Sequence, residues 1–353
     1  WSMNFASDNV YGVDDAILAA IGAANETLTA PAYATDDWSK RAESMLNNVF
    51  EREVSAYLVA SGTAANGLAL STMAQPFNAI LCHADSHINV DECAAPELFS
   101  GGAKLYGIDG AGNKLTAASV EAMLATFVRG EHNSKPAALS ITQATELGTV
   151  YSLDEIAAIA RVADGKGLKV HMDGARFANA LVSLDCTPAE MTWKAGIDAL
   201  SFGATKNGAL ALEAVIFFDT ALAEDFTYRR MRGGQLLSKG RYLGAQMEAY
   251  LKDGRWLDNA RRANAHAQRL AAGLAEVPGV RVPLGAEANL VFPILPRSLS
   301  DQLKAAGAVF HLWPGAGPVI DTVGEDEVFA RLVTSFATRD EDVDAFIAAA
   351  RSA

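Results

Sequence analysis

The sequence has 353 residues, of which 50% are hydrophobic and 20% are charged, a composition typical of a globular chain with two domains or with one large α/β domain and an appendage. Its 42 acidic residues outnumber its 29 basic residues and give a formal net charge of -13, which disfavours nucleic acid and anionic membranes as partners. Three cysteines without CxxC spacing disfavour a disulfide framework and a thiolate zinc site, and together with the absence of a long apolar run they indicate a cytoplasmic protein.

Short apolar runs alternate with longer helical patterns through the first two thirds of the chain, which predicts an α/β fold with a mostly parallel sheet. We expect strands near residues 56–60, 79–82, 104–108, 137–142, 169–173, 199–203 and 214–218. Helices are expected between them, for example over residues 64–73, 117–128 and 153–166.

The last third of the chain predicts a second, smaller unit. The pattern is almost continuously helical over residues 236–275, with a break at Asp253-Gly254, which indicates a long connector that leaves the sheet. Beyond it we expect strands near residues 280–282, 290–295 and 332–336 and helices near residues 299–306 and 340–351. We therefore divide the chain into an N-terminal arm with a large domain, residues 1–250, and a small C-terminal α+β domain, residues 251–353.

A glycine-containing turn, Ser61-Gly62-Thr63-Ala64-Ala65-Asn66, follows the first predicted strand and opens a helix. Its backbone amides and the Thr63 hydroxyl can converge on a phosphate at the helix N-terminus. For this segment alone, an ordinary glycine turn in which Thr63 caps the helix is the simpler interpretation. The GxGxxG and GxxxxGK[ST] motifs are missing, which disfavours dinucleotide binding and a P-loop NTPase.

The segment His171-Met172-Asp173-Gly174-Ala175-Arg176 ends an apolar predicted strand. The ends of parallel strands are where α/β sheets place their ligand groups, so Asp173 is expected to point into a crevice. A buried carboxylate needs a cation or a hydrogen-bond donor, and a local ion pair with Arg176 would serve equally well. His171 lies on the same strand face as Asp173, and we interpret it as a core histidine with satisfied hydrogen bonds.

The next strand is followed by Lys206 in a stretch of small residues, Gly203-Ala204-Thr205-Lys206-Asn207-Gly208. Partial burial disfavours the ammonium form and lowers the pKa of a lysine, as an imine-forming nucleophile requires. Taken alone, Lys206 is more simply interpreted as a solvated loop lysine. Together, however, the turn, Asp173 and Lys206 meet the needs of pyridoxal 5'-phosphate (PLP): a phosphate anchor, a partner for the ring nitrogen and a Schiff-base lysine.

With these residues in place, the chain resembles the fold-type I PLP enzymes and, more narrowly, the L-threonine aldolase family of the beta-eliminating lyase group. The HxDGAR segment with the downstream lysine is the most specific part of the resemblance. The matching residues span most of the chain and are Ser7-Asp8-Asn9, Tyr33 with Asp36, Ser61-Gly62-Thr63-Ala64, residues 87–92, residues 171–176, Thr205-Lys206 and Arg331.

The resemblance implies PLP-dependent retro-aldol cleavage of L-β-hydroxy-α-amino acids, such as L-threonine, L-allo-threonine or L-phenylserine, to glycine and an aldehyde. It implies that Lys206 carries PLP, that Asp173 meets the ring nitrogen and that His87 stacks on the ring. The base at the β-hydroxyl would be His87 or His132. The expected remaining cofactor contacts are Ser61, Gly62, Thr63 and Arg176, and the expected substrate contacts are Ser7, Tyr33, Arg176 and Arg331.

Two further expectations concern neighbouring groups. On a helix, Asp91 lies four residues beyond His87, so its carboxylate is placed to hold the imidazole. Tyr33, Asp36 and the basic stretch of residues 229–241 have no evident duty within their own chain, and in the family such segments complete a neighbour's active site. A homodimer with shared sites, often paired into a tetramer, is therefore expected.

Two departures from the family pattern affect the pocket for the substrate's β-substituent. Ala34 follows Tyr33 where many relatives have glycine, and residues 143–148 lack a histidine that some relatives carry. Two other functions also stay open from the sequence: another PLP reaction on the same fold, such as transamination, decarboxylation or β-elimination, and, more remotely, a PLP-free protein that binds a phosphorylated ligand.

Overall fold

The structure is a computed structural model that describes residues 3–314 and 317–352. A seven-stranded sheet forms its centre, with strands β1 (Ser55–Val59), β2 (Asn78–His83), β3 (Lys104–Ile108), β4 (Lys135–Thr142), β5 (Lys169–Gly174), β6 (Ala199–Gly203) and β7 (Glu213–Phe217). Their order in space is β1-β7-β6-β5-β4-β2-β3. β7 runs antiparallel to β1 and β6, and the other neighbouring strands pair in parallel, so the sheet is mostly parallel as predicted.

Helices cover this sheet and build most of the remaining chain. They are α1 (Asp15–Glu26), α2 (Asp37–Val49), α3 (Gly62–Met73), α4 (His87–Val90), α5 (Ala95–Ser100), α6 (Ala117–Leu124), α7 (Leu153–Asp164), α8 (Phe177–Leu184), α9 (Pro188–Met191), α10 (Phe226–Arg232), α11 (Arg241–Leu251), α12 (Arg255–Ala275), α13 (Arg297–Ala305) and α14 (Asp340–Ser352). Every residue of β2, β6 and β7 is buried. Strands covered on both faces become continuous apolar runs, which is why they were recognisable in the sequence.

A smaller antiparallel sheet contains β8 (Leu290–Val291), β9 (Ile294–Pro296), β10 (His311–Leu312) and β11 (Glu327–Val333). β11 pairs with the other three strands. The hydrophobic core of this small sheet also contains Met3 and Phe5 from the N-terminal segment. The ring of Phe5 meets that of Phe346 edge to face, with the ring centroids 5.2 Å apart. The N-terminal residues therefore pack with the small unit rather than with the large one.

Helix α12 connects the two units. Trp256 and Ala260 belong to the core of the large sheet, whereas Ala267, Leu270 and Leu274 of the same helix belong to the core of the small sheet. The two cores share this helix, so a domain boundary at residue 250 stays a prediction. Within the described part of the chain, no helix combines the length and the apolar character that crossing a bilayer requires.

Several predicted element bounds were wrong. The helix expected to reach residue 128 ends at Leu124, and the long helical connector begins at Arg241 rather than at residue 236. The strand expected at residues 280–282 is a single bridge between Arg281 and Ile294. The strand expected at residues 290–295 is two short strands with Pro293 between them, and a proline has no N–H to donate to a sheet.

Candidate active site

Most of the predicted site residues meet at one edge of the large sheet. This is the edge at which the parallel strands end: α3 follows β1, α4 follows β2, and the segments after β4, β5 and β6 leave from the same side. β7 begins at this edge because it runs antiparallel to β6, with Glu213 paired to Gly203. Ligands of open α/β sheets bind at the carboxyl ends of the strands, so this edge is the candidate active site.

Asp173 and Lys206 follow two neighbouring strands at that edge, β5 and β6. Asp173 is buried and accepts hydrogen bonds from the Ala175 amide at 3.0 Å and from Nδ2 of Asn66 at 2.9 Å. The local ion pair between Asp173 and Arg176 that the sequence left open is not formed, since Arg176 binds elsewhere. A buried carboxylate held this way suits a protonated ring nitrogen in the crevice.

The amine of Lys206 lies among charged groups. Burial lowers the pKa of Lys206 and the nearby Arg176 lowers it further, while Asp8 and Asp173 act in the opposite direction. A lysine whose ammonium form is disfavoured is a better nucleophile toward a carbonyl. The placement therefore fits a Schiff-base lysine and not a solvated loop lysine.

The first turn of α3 lies at the same edge of the sheet, where the helix follows β1. Ser61 caps the helix by accepting a hydrogen bond from the Ala64 amide at 3.3 Å, so the expected Thr63 cap was wrong. A Cβ built on Gly62 would meet no atom within 4 Å, which shows that the backbone here faces free space. An accessible helix N-terminus beside Lys206 and Asp173 can receive a phosphate group, so the three features fit PLP.

His87 begins α4, but its partner is not the expected one. Helix α4 ends at Val90, so Asp91 does not continue the helical spacing and lies exposed. Nδ1 of His87 instead pairs with Oε1 of the buried Glu92 at 2.7 Å. This hydrogen bond raises the pKa of His87 against the effect of burial, and Asp173 raises it further. Sequence spacing missed Glu92 because it assumed a longer helix.

A second glutamate holds the backbone of His87. Oε1 of Glu146 accepts hydrogen bonds from the His87 amide and from the Thr142 hydroxyl, both at 2.9 Å. Its Oε2 is buried without a hydrogen-bond partner among the described residues. Burial raises the pKa of Glu146 to about 7. The sequence offered no signal for Glu146 beyond the departure already noted in residues 143–148.

Arg176 forms a buried ion pair with Asp8 from the N-terminal segment. Nε and Nη2 donate to the two carboxylate oxygens at 2.8 Å each, and Nδ2 of Asn289 donates to the same carboxylate at 3.0 Å. Burial raises the pKa of Asp8, but Arg176 and Lys206 outweigh it, so the net pKa is lowered. Arg176 was expected to bind the substrate carboxylate and the cofactor, but its guanidinium already holds the carboxylate of Asp8.

Arg331 comes from β11 and reaches back toward the N-terminal segment. Nη1 donates to the carbonyl of Ala6 at 3.3 Å, the guanidinium lies over the Trp313 ring at 5.1 Å, and Nε is buried without a partner among the described residues. Burial lowers the pKa of Arg331 to about 10, and Arg176 contributes in the same direction. Ser7, next to Ala6, caps a short 3-10 helix. A half-buried cation with an unused donor at its buried Nε suits an incoming carboxylate.

His132 is not brought to this edge. It lies exposed in a 3-10 turn, Gly130–His132, just before β4 begins at Lys135. The site lies beyond the other end of β4, and eight strand residues span about 26 Å. The placement therefore does not support the expected use of His132 within its own chain. His171, by contrast, lies in the core with its two ring nitrogens 2.9 Å from the hydroxyls of Ser140 and Ser201, as interpreted.

The segments expected to serve a neighbouring chain have a mixed outcome. Tyr33 is 53% exposed, and its backbone amide donates to the backbone carbonyl of Ser238 at 3.0 Å. Asp36, however, is buried and caps α2 through Ser39. Two of the basic residues also have duties within the chain, since Arg230 donates to the Gln235 carbonyl and Arg241 to the Thr27 carbonyl. The prediction of no intrachain duty was wrong for Asp36, Arg230 and Arg241.

A mostly parallel sheet that brings a lysine, an aspartate and an open helix N-terminus together at one edge defines a fold-type I PLP enzyme. The family model described as beta-eliminating lyase matches residues 4–295. A low specificity L-threonine aldolase from Pseudomonas sp. (strain NCIMB 10558) is 44% identical over 316 residues, covering 90% of this chain and 91% of that one. The chain therefore belongs to the beta-eliminating lyase family and, within it, to the low-specificity L-threonine aldolases.

Solved structures agree with this assignment. A threonine aldolase from Leishmania major superposes with a TM-score of 0.91 at 28% sequence identity, covering 99% of this chain and 98% of that chain. A structure of SPT with PLP superposes with a TM-score of 0.70 at 15% identity, covering 99% of this chain and 86% of that chain. The second likeness shows the shared fold, and the resemblance seen in the sequence is confirmed.

Proposed function

We propose that this protein is a PLP-dependent aldehyde-lyase that cleaves L-threonine and related L-β-hydroxy-α-amino acids to glycine and an aldehyde. The observation that carries the proposal is the placement of Lys206 and Asp173 at neighbouring strand ends, beside the open first turn of α3. Its membership of the low-specificity L-threonine aldolases supports the same reaction.

The residues at the strand edge would hold the cofactor as follows. Lys206 would carry PLP through its amine, Asp173 would face the ring nitrogen, and Ser61, Gly62 and Thr63 would surround the phosphate. When bound, PLP supplies an electron sink for the pair left on Cα after the Cα–Cβ bond breaks. His87, on the segment that follows β2, would cover the ring.

Substrate orientation would depend on the cationic side of the site. Arg331 has an unused buried donor at Nε and binds the carbonyl of Ala6. Ser7 is the next residue, and Arg176 pairs with Asp8, the one after it. A carboxylate fixed by a planar guanidinium cannot rotate freely, so the bond from Cα to Cβ is held in one direction. We propose that Arg331 makes the main contact with the substrate carboxylate.

Cleavage also requires that a proton be removed from the β-hydroxyl. His87 is our candidate for this base, directly or through a water molecule, because the structure leaves His132 at the opposite edge of the sheet. A positioned base of this kind typically contributes about 10² to 10⁴ in rate. Tyr33, which is exposed in a single chain, is proposed to face the site of a neighbouring subunit.

The reaction is tested with purified protein, PLP and a panel of β-hydroxy amino acids without any keto acid. L-Threonine should give glycine and acetaldehyde, and L-phenylserine should give glycine and benzaldehyde, in equal molar amounts. Lys206→Ala serves as the control for protein-catalysed cleavage. Formation of a keto acid from threonine, or amino transfer to pyruvate, faster than acetaldehyde release would favour a different PLP reaction.

We further propose that the active form is a homodimer, or a tetramer made of two such dimers, in the cytoplasm. Four large side chains around the basic stretch, Tyr33, Tyr228, Met231 and Leu237, are exposed in the single chain, and grouped exposed apolar residues often mark an interface. Light scattering combined with an activity assay on the same fractions tests this. An active monomer would contradict the dimer.

A further inference from the structure

Hydrogen bonds join the side chains of His87, Glu92, Asn66 and Asp173 into one chain, in which all but the half-exposed His87 are buried. Nδ1 of His87 lies 2.7 Å from Oε1 of Glu92. The same oxygen accepts a hydrogen bond from Nδ2 of Asn66 at 2.8 Å, and Nδ2 of Asn66 also donates to Oδ2 of Asp173 at 2.9 Å. His87, which would cover the face of the cofactor ring, and Asp173, which would meet its nitrogen, are therefore connected by hydrogen bonds within the protein.

Both hydrogen bonds that Asn66 donates go to carboxylates, those of Glu92 and Asp173. Its carbonyl oxygen is buried without a partner among the described residues, and so is Oε2 of Glu92. The Glu92 side chain is 0% exposed, so its charge is screened little by water. Asn66 bridges two carboxylates while its own buried carbonyl oxygen stays unpaired, and an unpaired buried acceptor costs free energy. Packing alone does not explain such an arrangement. The arrangement points to a requirement for both charges.

We propose that Glu92 is a positioning residue that fixes the ring of His87 and, through Asn66, couples the charge of His87 to that of Asp173. The inference rests on the proposed function, because it concerns how the cofactor site is prepared. A histidine held in this way has one orientation and one tautomer, with Nδ1 directed to Glu92 and Nε2 left for the crevice. Asp173 then faces a neighbour, Glu92, whose charge is balanced whenever His87 is protonated.

The titratable groups that act on this pair are known from the structure. His87 is acted on by Glu92, Asp173 and Lys206, and its backbone amide is held by Glu146. Glu92 is acted on by His87 and Asp173, and burial raises its pKa. The short contact to Glu92 dominates the pKa of His87, so removing that charge should lower the pKa even though the other groups remain.

The test is a histidine titration by NMR on isotope-labelled protein saturated with PLP, in wild type and in Glu92→Gln. Glutamine keeps the size and an acceptor oxygen, so loss of shape is minimised. We expect the midpoint of His87 to fall by about 1 pH unit or more, with the resonance assigned by its absence in His87→Phe. The acidic limb of the kcat/KM profile for L-threonine should shift in the same direction.

Asp91→Asn is the matched control, because Asp91 is the partner that helical spacing would select. It should leave the His87 midpoint in place. A shift in Asp91→Asn without one in Glu92→Gln would overturn the inference, and so would an unchanged midpoint in both. The titration does not depend on turnover, so a protein that fails to cleave threonine would overturn the proposed function while still deciding the role of Glu92.

The link through Asn66 has its own test in case Glu92→Gln does not fold. Asn66→Leu removes both bridging donors at similar volume and leaves Glu92 and Asp173 in place. Two buried carboxylates without the bridge repel each other, so one should take up a proton and the pH titration of the absorbance of bound PLP should change. An unchanged absorbance titration and an unchanged His87 midpoint would show that the bridge transmits nothing.

Discussion

Arg176 and Asp8 form a two-pronged ion pair, with Nε and Nη2 of the arginine each 2.8 Å from a carboxylate oxygen. The pair joins the N-terminal segment to the strand edge, and Asn289, directly before β8, adds a hydrogen bond. A carboxylate of the protein already occupies the guanidinium fork, in the way that a substrate carboxylate would. Arg331, whose Nε has no partner among the described residues, is therefore the better candidate for the main substrate contact.

Arg331→Leu is therefore expected to raise KM for L-threonine about 10- to 100-fold, because a hydrogen bond to a charged group is worth about 1.5 to 3 kcal/mol. PLP affinity should stay nearly unchanged. Arg281→Leu, which removes an arginine that pairs with Glu327 at the other end of β11, is the control. Equal loss of PLP binding in Arg331→Leu would place Arg331 in the cofactor site instead.

Lys206→Ala should abolish turnover while the protein still folds, because the lysine follows a strand and is not part of the hydrophobic core. Thermal unfolding and circular dichroism report the fold, and aldehyde release reports turnover. Lys169→Ala removes a lysine at the start of the neighbouring strand, where it pairs with Asp198 and Asp219, and should retain turnover. Substantial turnover by Lys206→Ala would contradict the assignment.

Asp173→Asn removes the negative charge of this side chain. It should retain only part of the hydrogen bonding that Asp173 accepts from Asn66 and from the Ala175 amide. We expect kcat to fall about 10²- to 10³-fold, the usual effect of losing one preorganised electrostatic partner, with PLP still bound. Steady-state kinetics and the absorbance of the bound cofactor measure the two effects. A kcat close to that of wild type would mean that the carboxylate has a purely structural role.

His87, our candidate for the base, and His132, the alternative expected from the sequence, can be distinguished by paired variants. His87→Phe keeps an aromatic ring but removes the base, so kcat should fall about 10² to 10⁴-fold while PLP is retained. His132→Ala should leave kcat and KM nearly unchanged, because His132 lies at the opposite edge of the sheet. The reverse result would require His132 to act in a neighbouring subunit's site.

Glu146 predicts a pH dependence of stability. Its pKa is raised by burial from 4.5 to about 7, so between these values the folded protein keeps a proton that the unfolded chain has released. Stability is therefore lost as the pH rises through this window. Glu146→Gln, which stays neutral, should raise Tm by about 2 °C or more relative to wild type at pH 8 and have little effect at pH 5.

Scanning calorimetry at the two pH values measures this difference. Glu155→Gln is a control of opposite sign, because it removes an exposed carboxylate that pairs with Lys114 at 3.0 Å and should not stabilise the protein at pH 8. A lower Tm for Glu146→Gln at pH 8 would show that the charged form of Glu146 is the one that the fold requires.

The sheet and the cofactor lysine were predictable because they depend on local patterns. Buried parallel strands are continuous apolar runs, and the residues that follow them must lie at one edge, so Asp173 and Lys206 could be placed together without a structure. The partner of His87 was not predictable in this way. Whether Asp91 or Glu92 meets the imidazole depends on where α4 ends, and a four-residue helix has too weak a pattern to fix its end.

Contacts between distant segments were also out of reach of the sequence. Asp8 pairs with Arg176, and Asn289, directly before β8, donates to the same carboxylate. Nothing in the composition of these segments marks them as neighbours. Glu146 was missed for a related reason: a glutamate in a polar loop is ordinarily solvated, and its burial becomes visible once the loop is folded against His87.

The position of Phe5 has a consequence for how the chain folds during synthesis. Its ring packs against Phe346 in the core of the small sheet, so this contact cannot form until the chain has been made through Phe346. The large sheet can form on the ribosome while this N-terminal segment remains unpacked. The site also takes Asn289, which donates to Asp8, and Arg331, which donates to Ala6, from late parts of the chain. The active site should therefore be completed late, after these residues have left the ribosome.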